Sequence, residues 1–445
     1  MKPTLRFRLG AVLLGGASLL SGCEDRCQES RTFRQQTPFT VSMAELRQLG
    51  VDLQPGRALV NPGKIYVWGD YLFINEVKAG VHVIDNRNPS TPKPLAFLSI
   101  RGNADVAVKG NYLFADSYTD FLVFDISNPA TPREVKRIEN AFPSGMVEGI
   151  NWYTDATWNG TTTNPPTRIT DFNVSLKTEV YETDCDNGAV TSWWGRGWAA
   201  EDRSVQFSSA NPTSSGASGS GKGGSMARFA LTGNQLYAVT NSTMQLFDVS
   251  QPADPKKGKS VSLGWGIETI FPYRDKLFIG STTGMHIYDN ANPENPVRLS
   301  TFTHARACDP VIVEGDYAYV TLRSQGAVGR CGAAQSNQLD VVDVSSPANP
   351  RLAKTYPMQN PYGLGIESSR LYVCEGAYGL KSFRAQNPLN LEQTQHFKNL
   401  DAFDVIPLGT RLLVIGKDGL YQYDASQPNN LKLLSVLPVK RPSTT

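Results

Sequence analysis

Four charged residues of this 445-residue chain, Lys64, Asp105, Arg228 and Asp404, stand at matching points of a recurring pattern, and Glu268 and Asp309 lie one residue earlier in theirs. Carboxylates gathered in this way could share acid–base work, one held protonated to give a proton and one ionised to take it. That is the chemistry of a hydrolase or lyase, with Asp105, Glu268, Asp309 and Asp404 as its acids and bases. The same residues admit two other readings. A ring of mixed charge could hold a small polar ligand or a peptide terminus, or its members could compensate one another as structural ion pairs. The chain has no Gly-x-Ser-x-Gly elbow and no metal-ligand spacing, so no cofactor and no metal is expected.

Aromatic and sulfur chemistry form two further groups. Trp152, Trp158, Trp193, Trp194 and Trp198 are five of the seven tryptophans and fall in one stretch. Exposed, they would stack on sugars or on a partner's apolar surface; buried, they would form a small core. Cys308 and Cys331 are placed to form a disulfide, closing a loop of 24 residues and stabilising by roughly 3 kcal/mol in the chain-entropy model. Cys374 sits among apolar strand residues and reads as a buried thiol. Cys27 and Cys185 stay open. His82 and His286 alternate with apolar residues and are expected on strand surfaces. The formal charge of +2 gives no reason to expect a nucleic acid partner.

The N-terminus resembles a bacterial lipoprotein signal. Lys2, Arg6 and Arg8 precede an apolar run, Leu9 to Leu20, too short for a permanent span. It ends in Leu20-Ser21-Gly22-Cys23, which matches the lipobox. The resemblance implies cleavage after residue 22, acylation of Cys23 and an envelope protein anchored to membrane by lipid. Glu24, not Asp, follows the cysteine; the outer membrane is the expected address. Residues 23–58 read as a tether. Within it, Ser42-Met43-Ala44-Glu45 is a capping box that predicts a short helix ending at Gly50.

These residues are positioned by a repeat. Gly110-Asn111-Tyr112-Leu113-Phe114 is a turn entering a strand; Phe121-Leu122-Val123-Phe124-Asp125 is the next strand, followed by Asn128-Pro129-Ala130-Thr131-Pro132. The same order returns at Asp85, Asp248, Asp289, Asp343 and Asp424, and with Arg384 in place of the aspartate. Asp85 to Asp125 is 40 residues and Asp248 to Asp289 is 41, a period suited to a four-stranded propeller blade. A lone four-stranded sheet cannot bury both faces, whereas a closed ring of them can. The expected fold is therefore all-β, a seven-bladed β-propeller over residues 59–440. The repeated aspartate could be a calcium ligand or a turn cap. The Phe-Leu-Val-Phe-Asp and Leu-Asp-Val-Val-Asp-Val-Ser-Ser-Pro-Ala-Asn-Pro runs resemble the LVIVD-repeat family of bacterial propellers. That resemblance implies architecture and no particular chemistry. Neither the Asp-boxes of sialidases nor the tryptophan-docking motifs of quinoprotein dehydrogenases are present.

One step, Asp125 to Asp248, is 123 residues, 82 more than a period of 41. The excess, residues 141–225, is an insertion between blades 2 and 3, Ser/Gly-rich over Ser208–Ser225, with no strand pair like those of the repeats legible in it. A shorter insertion lies around Arg323–Asn337. Antiparallel order places both on one face, the top, with the Gly turns and Pro turns beneath. Binding residues concentrate on loops held by a rigid scaffold. The expectation is a non-catalytic binding or scaffolding propeller that engages a protein, peptide or glycan on this face; the acid–base enzyme is the alternative.

Overall fold

The computed structural model describes residues 26–147, 150–156, 165–184, 222–304, 310–323 and 337–440. Seven sheets repeat one up-and-down order of four antiparallel strands among them. In blade 1 the strands are Pro62–Trp68, Tyr71–Glu76, Gly80–Asp85 and Lys93–Ser99; in blade 2 they are Val106–Lys109, Tyr112–Ser117, Asp120–Asp125 and Arg133–Ile138. The first strands of blades 3 to 7 are Phe229–Thr232, Ile267–Tyr273, Val311–Glu314, Leu364–Glu367 and Ala402–Leu408. The inner strands are near-continuous apolar runs because both of their faces are covered. Leu113, Phe114, Ala115 and Phe121 to Phe124 are all fully buried, while the fourth strand, Arg133–Ile138, is polar and faces solvent on one side. A bulge interrupts the pairing of third and fourth strands in all seven sheets, adding local twist at the rim.

Turn chemistry explains the repeat. Gly69 and Gly110 take φ of 55° and 57° at the first hairpin, a region that glycine enters without steric cost. The repeated aspartate is a turn cap: the backbone amide two residues on donates to it from Arg87, Ser127, Ser250, Ser345 and Ser426 at 2.8–3.1 Å. The first proline of the motif has a second use. Its carbonyl accepts a hydroxyl from the preceding blade: Tyr237 to Pro293, Ser300 to Pro347, Tyr356 to Pro388 and Ser435 to Pro89. The last of these joins blade 7 to blade 1. Reciprocal amide bonds between Asn86 and Gln422, at 2.9 and 2.7 Å, close the same junction.

Blade 3 follows blade 2 directly in the ring, with the Phe121 and Phe247 rings stacked at 4.1 Å between centroids. The insertion, whose fold the sequence leaves open, contains strands. Ser144–Val147, Ile150–Thr154 and Arg168–Asp184 form a sheet completed by Arg26–Ser42. That last strand comes from the stretch read as a tether, which is corrected: the stretch is built into a sheet and a helix, with Val41 of the strand and Met43 and Leu46 of the helix buried in the core shared with blades 1 and 2. Helix Met43–Leu49 starts at the predicted cap, where Ser42 Oγ accepts from the Glu45 amide at 3.4 Å, and ends at Gly50. Strand Asp52–Pro55 then pairs with the outer strand of blade 1, covering an otherwise open edge. Residues 26–34 and 176–184, the far ends of two of these strands, belong to a separate compact unit; within it Lys177 Nζ lies 2.9 Å from Glu179 Oε1.

Candidate functional site

The structure brings together three of the six charged residues at the top of blades 1 to 3. Lys64 and Asp105 are 5 % and 2 % exposed and form an ion pair at 2.8 Å. The same carboxylate oxygen accepts the Arg228 and Phe229 amides at 2.6 and 2.8 Å, and the other accepts from Val106 N at 2.8 Å. Burial pushes the Lys64 ammonium down from its ordinary value, and the Asp105 charge opposes that shift. Arg228 reaches across with its guanidinium to donate to the Met146 carbonyl of the insertion. Asp105 is thus a clamp joining three blades, with each oxygen already accepting protein donors.

Asp404 is buried in the first strand of blade 7 and accepts from Ser225 Oγ at 3.1 Å. Ser225 belongs to the Ser/Gly-rich end of the insertion, read as a flexible linker. Its described part is instead buried inside the ring: Lys222 and Gly223 pair with Val67 and Tyr66 on the inner edge of blade 1, and Ser225 is 1 % exposed. Glu268 is half-buried in the first strand of blade 4. Asp309 lies outside the described residues, as do Cys23, Cys308, Cys331, Trp158, Trp193, Trp194 and Trp198.

Trp152 is buried. Its ring meets Tyr118 of blade 2 edge-on at 5.5 Å, so this tryptophan shares a core with the propeller. Beside it is a small open pocket lined by Asp116, Tyr118, Phe142, Trp152, Arg228 and Phe229 among others. Burial raises the Asp116 carboxyl to about 6, against the pull of the Ala104 and Asp105 amides that donate to it. Asp171 of the insertion docks the same region: it accepts from Tyr118 Oη at 2.8 Å and pairs with Lys78 of blade 1 at 2.7 Å. Sequence reasoning missed Asp116 and Asp171, since neither has a counterpart in a repeat-wide pattern. Helix Met43–Leu49 is held there too, by Arg47 bonded twice to Asp120 at 2.9 Å.

The histidines correct another expectation. His82 and His286 are both buried, because the third strands have both faces covered. His82 Nε2 lies 2.6 Å from Glu76 Oε2. Arg298 donates to His286 Nδ1 at 2.8 Å. Burial first, then the Arg298 charge, lower the His286 imidazole to about 4. The unfolded chain protonates there from about pH 6.5 and the folded chain only near 4, so this contribution is complete above 6.5 and is lost as pH falls toward 4. Urea titrations should show a shallower loss of stability over that window in His286→Gln; superimposable pH profiles would exclude this residue as its source.

Cys374 is a buried free thiol in blade 6, and burial raises it well above the ordinary range. Thiolate is the reactive form. Ellman's reagent should therefore leave Cys374 unlabelled in the native protein and label it on unfolding; rapid native labelling, read at this residue by peptide mapping, is the contrary result.

The comparisons agree with this architecture. The chain carries LVIVD repeats, matched at residues 62–94, 101–139, 305–328 and 331–357. It is a β-propeller protein in which four segments match that repeat. No curated protein matches it. Among solved structures, a protein from Lactobacillus plantarum is 12 % identical, with 86 % of this chain and 97 % of that one covered and a TM-score of 0.47. BamB from Moraxella catarrhalis is 10 % identical over 90 % of this chain and 87 % of its own, at 0.42. Hsv2 of Kluyveromyces lactis is 9 % identical over 77 % and 85 %, at 0.40. At these scores and identities the likenesses decide nothing about activity.

Proposed function

We propose that this chain is a non-catalytic binding and scaffolding propeller of the bacterial envelope, anchored by lipid on Cys23, that engages a protein, peptide or glycan with its top face. The observation that carries this reading is Trp265, which sequence reasoning did not single out. It is 79 % exposed in the connection from blade 3 to blade 4, on the face that bears the insertion. Gly264 and Gly266 flank it at φ of 95° and 81°, and a Cβ on Gly266 would overlap Thr282. The backbone here is shaped to present a large aromatic side chain to solvent, the residue type most enriched at binding hot spots. The acid–base alternative draws less support, because Asp105 and Asp404 hold backbone amides and the chain's own Ser225.

The test compares wild type with Trp265→Ala in capture from envelope extracts and in binding to envelope glycans. Loss of a captured partner or glycan is expected, with stability changed by no more than about 0.5 kcal/mol. An unchanged set of partners would remove the top-face reading. The anchor is tested separately: Cys23→Ala should remove the protein from the outer-membrane fraction, leave its leader uncleaved and abolish incorporation of labelled palmitate.

A further inference from the structure

The segment inside the ring has an unusual composition for buried chain. The buried stretch Gly223-Gly224-Ser225 contains no apolar side chain, so the hydrophobic effect does not account for its own burial, although the Met226 and Ala227 that follow are buried apolar residues. Main-chain and polar bonds hold it. Lys222 and Gly223 add antiparallel to the first strand of blade 1. Ser225 Oγ donates to Asp404 of blade 7 at 3.1 Å and accepts from the Leu364 amide of blade 6 at 2.9 Å. Two residues on, the Ala227 carbonyl accepts from Ile270 N of blade 4 at 2.8 Å. One short segment reaches blades 1, 7, 6 and 4 in turn only by crossing the central channel.

We propose that the central channel is a binding site for an extended glycine/serine peptide, occupied in cis by Lys222–Ser225. Strand addition supplies affinity through the main chain, and side-chain room sets specificity. That room is narrow: a Cβ on either Gly224 or Gly363 would overlap the Asp404 carboxylate. The position facing Asp404 therefore accepts only glycine, and the next accepts a hydroxyl that can donate to Asp404 while accepting from Leu364 N. A tethered occupant is present at an effective concentration of order mM, which keeps the channel closed to the same sequence in trans. Displacing the tethered segment opens the site.

The full-length chain with Gly224→Val should expel the segment. A fluorescein-labelled Gly-Lys-Gly-Gly-Ser-Met-Ala peptide, residues 221–227, is then titrated by anisotropy. Saturable binding to the variant is expected, at least about 10-fold tighter than to wild type, and lost when the peptide carries Val at the Gly224 position. Equal binding to both proteins overturns the proposal, as does no binding to a variant whose near-UV dichroism matches wild type. Should the variant not fold, hydrogen exchange on wild type decides. Protection of the Lys222–Ser225 amides by about 100-fold or more over unstructured rates is expected, and exchange at unstructured rates refutes an occupied channel.

Discussion

Replacing Asp105 by alanine should destabilise the propeller by about 3–5 kcal/mol, the usual cost of leaving one partner of a buried ion pair without its counter-charge. The geometry argues for the upper part of that range. Lys64 would remain buried with no carboxylate at 2.8 Å, and the Val106, Arg228 and Phe229 amides would lose their acceptor together. Those groups belong to blades 1, 2 and 3, so the loss falls on two blade junctions at once. Urea unfolding is the direct measurement. Adding Lys64→Met to Asp105→Ala should recover part of the loss, since the uncompensated ammonium is then gone. A single substitution costing less than 1 kcal/mol would mean that water reaches this pair and that the carboxylate is free for other work.

Truncating Trp152 to alanine should cost a similar amount, about 3–5 kcal/mol, by removing a large buried ring and leaving a cavity. The ring cannot easily be replaced by collapse of its surroundings. It lies against Gly145, where a Cβ would contact the indole at 2.6 Å, and edge-on to Tyr118, a non-glycine residue held at φ 52°. Tyr118 also carries the hydroxyl that donates to Asp171. Loss of Trp152 therefore loosens the insertion where it docks on the propeller. Limited proteolysis of Trp152→Ala should cut within residues 141–225 sooner than in wild type, and thermal unfolding should begin earlier. If global stability were unchanged while cleavage accelerated, the insertion would be an appendage with a core of its own.

The two substitutions differ in what the amino-acid order alone reveals about them. The recurring unit, its period, the glycine at the first hairpin and the aspartate-capped turn are set by interactions within a few residues, and short-range stereochemistry makes them readable directly. The helix Met43–Leu49 is of the same kind, because its cap lies three residues from its donor. Charge at the mouth of the ring was legible as a set of residues, but not as a set of partners. Lys64 and Asp105 are 41 residues apart, and Asp105 and Arg228 are 123 apart; their meeting depends on how blades pack once the ring has closed.

The same holds for the segments that the linear pattern misplaces. Arg26–Ser42 finds its neighbour in Arg168–Asp184, and a polar strand of that kind has no periodic signal of its own to announce a partner. Lys222–Ser225 is still harder to foresee, since glycine and serine read as linker wherever no neighbour is in view. Within the ring the same small residues are what a narrow channel admits. Local sequence determined what each blade is. Tertiary closure decided which charges neutralise one another, where the N-terminal strand lies and what fills the centre, because those outcomes depend on surfaces that exist only after the blades have assembled.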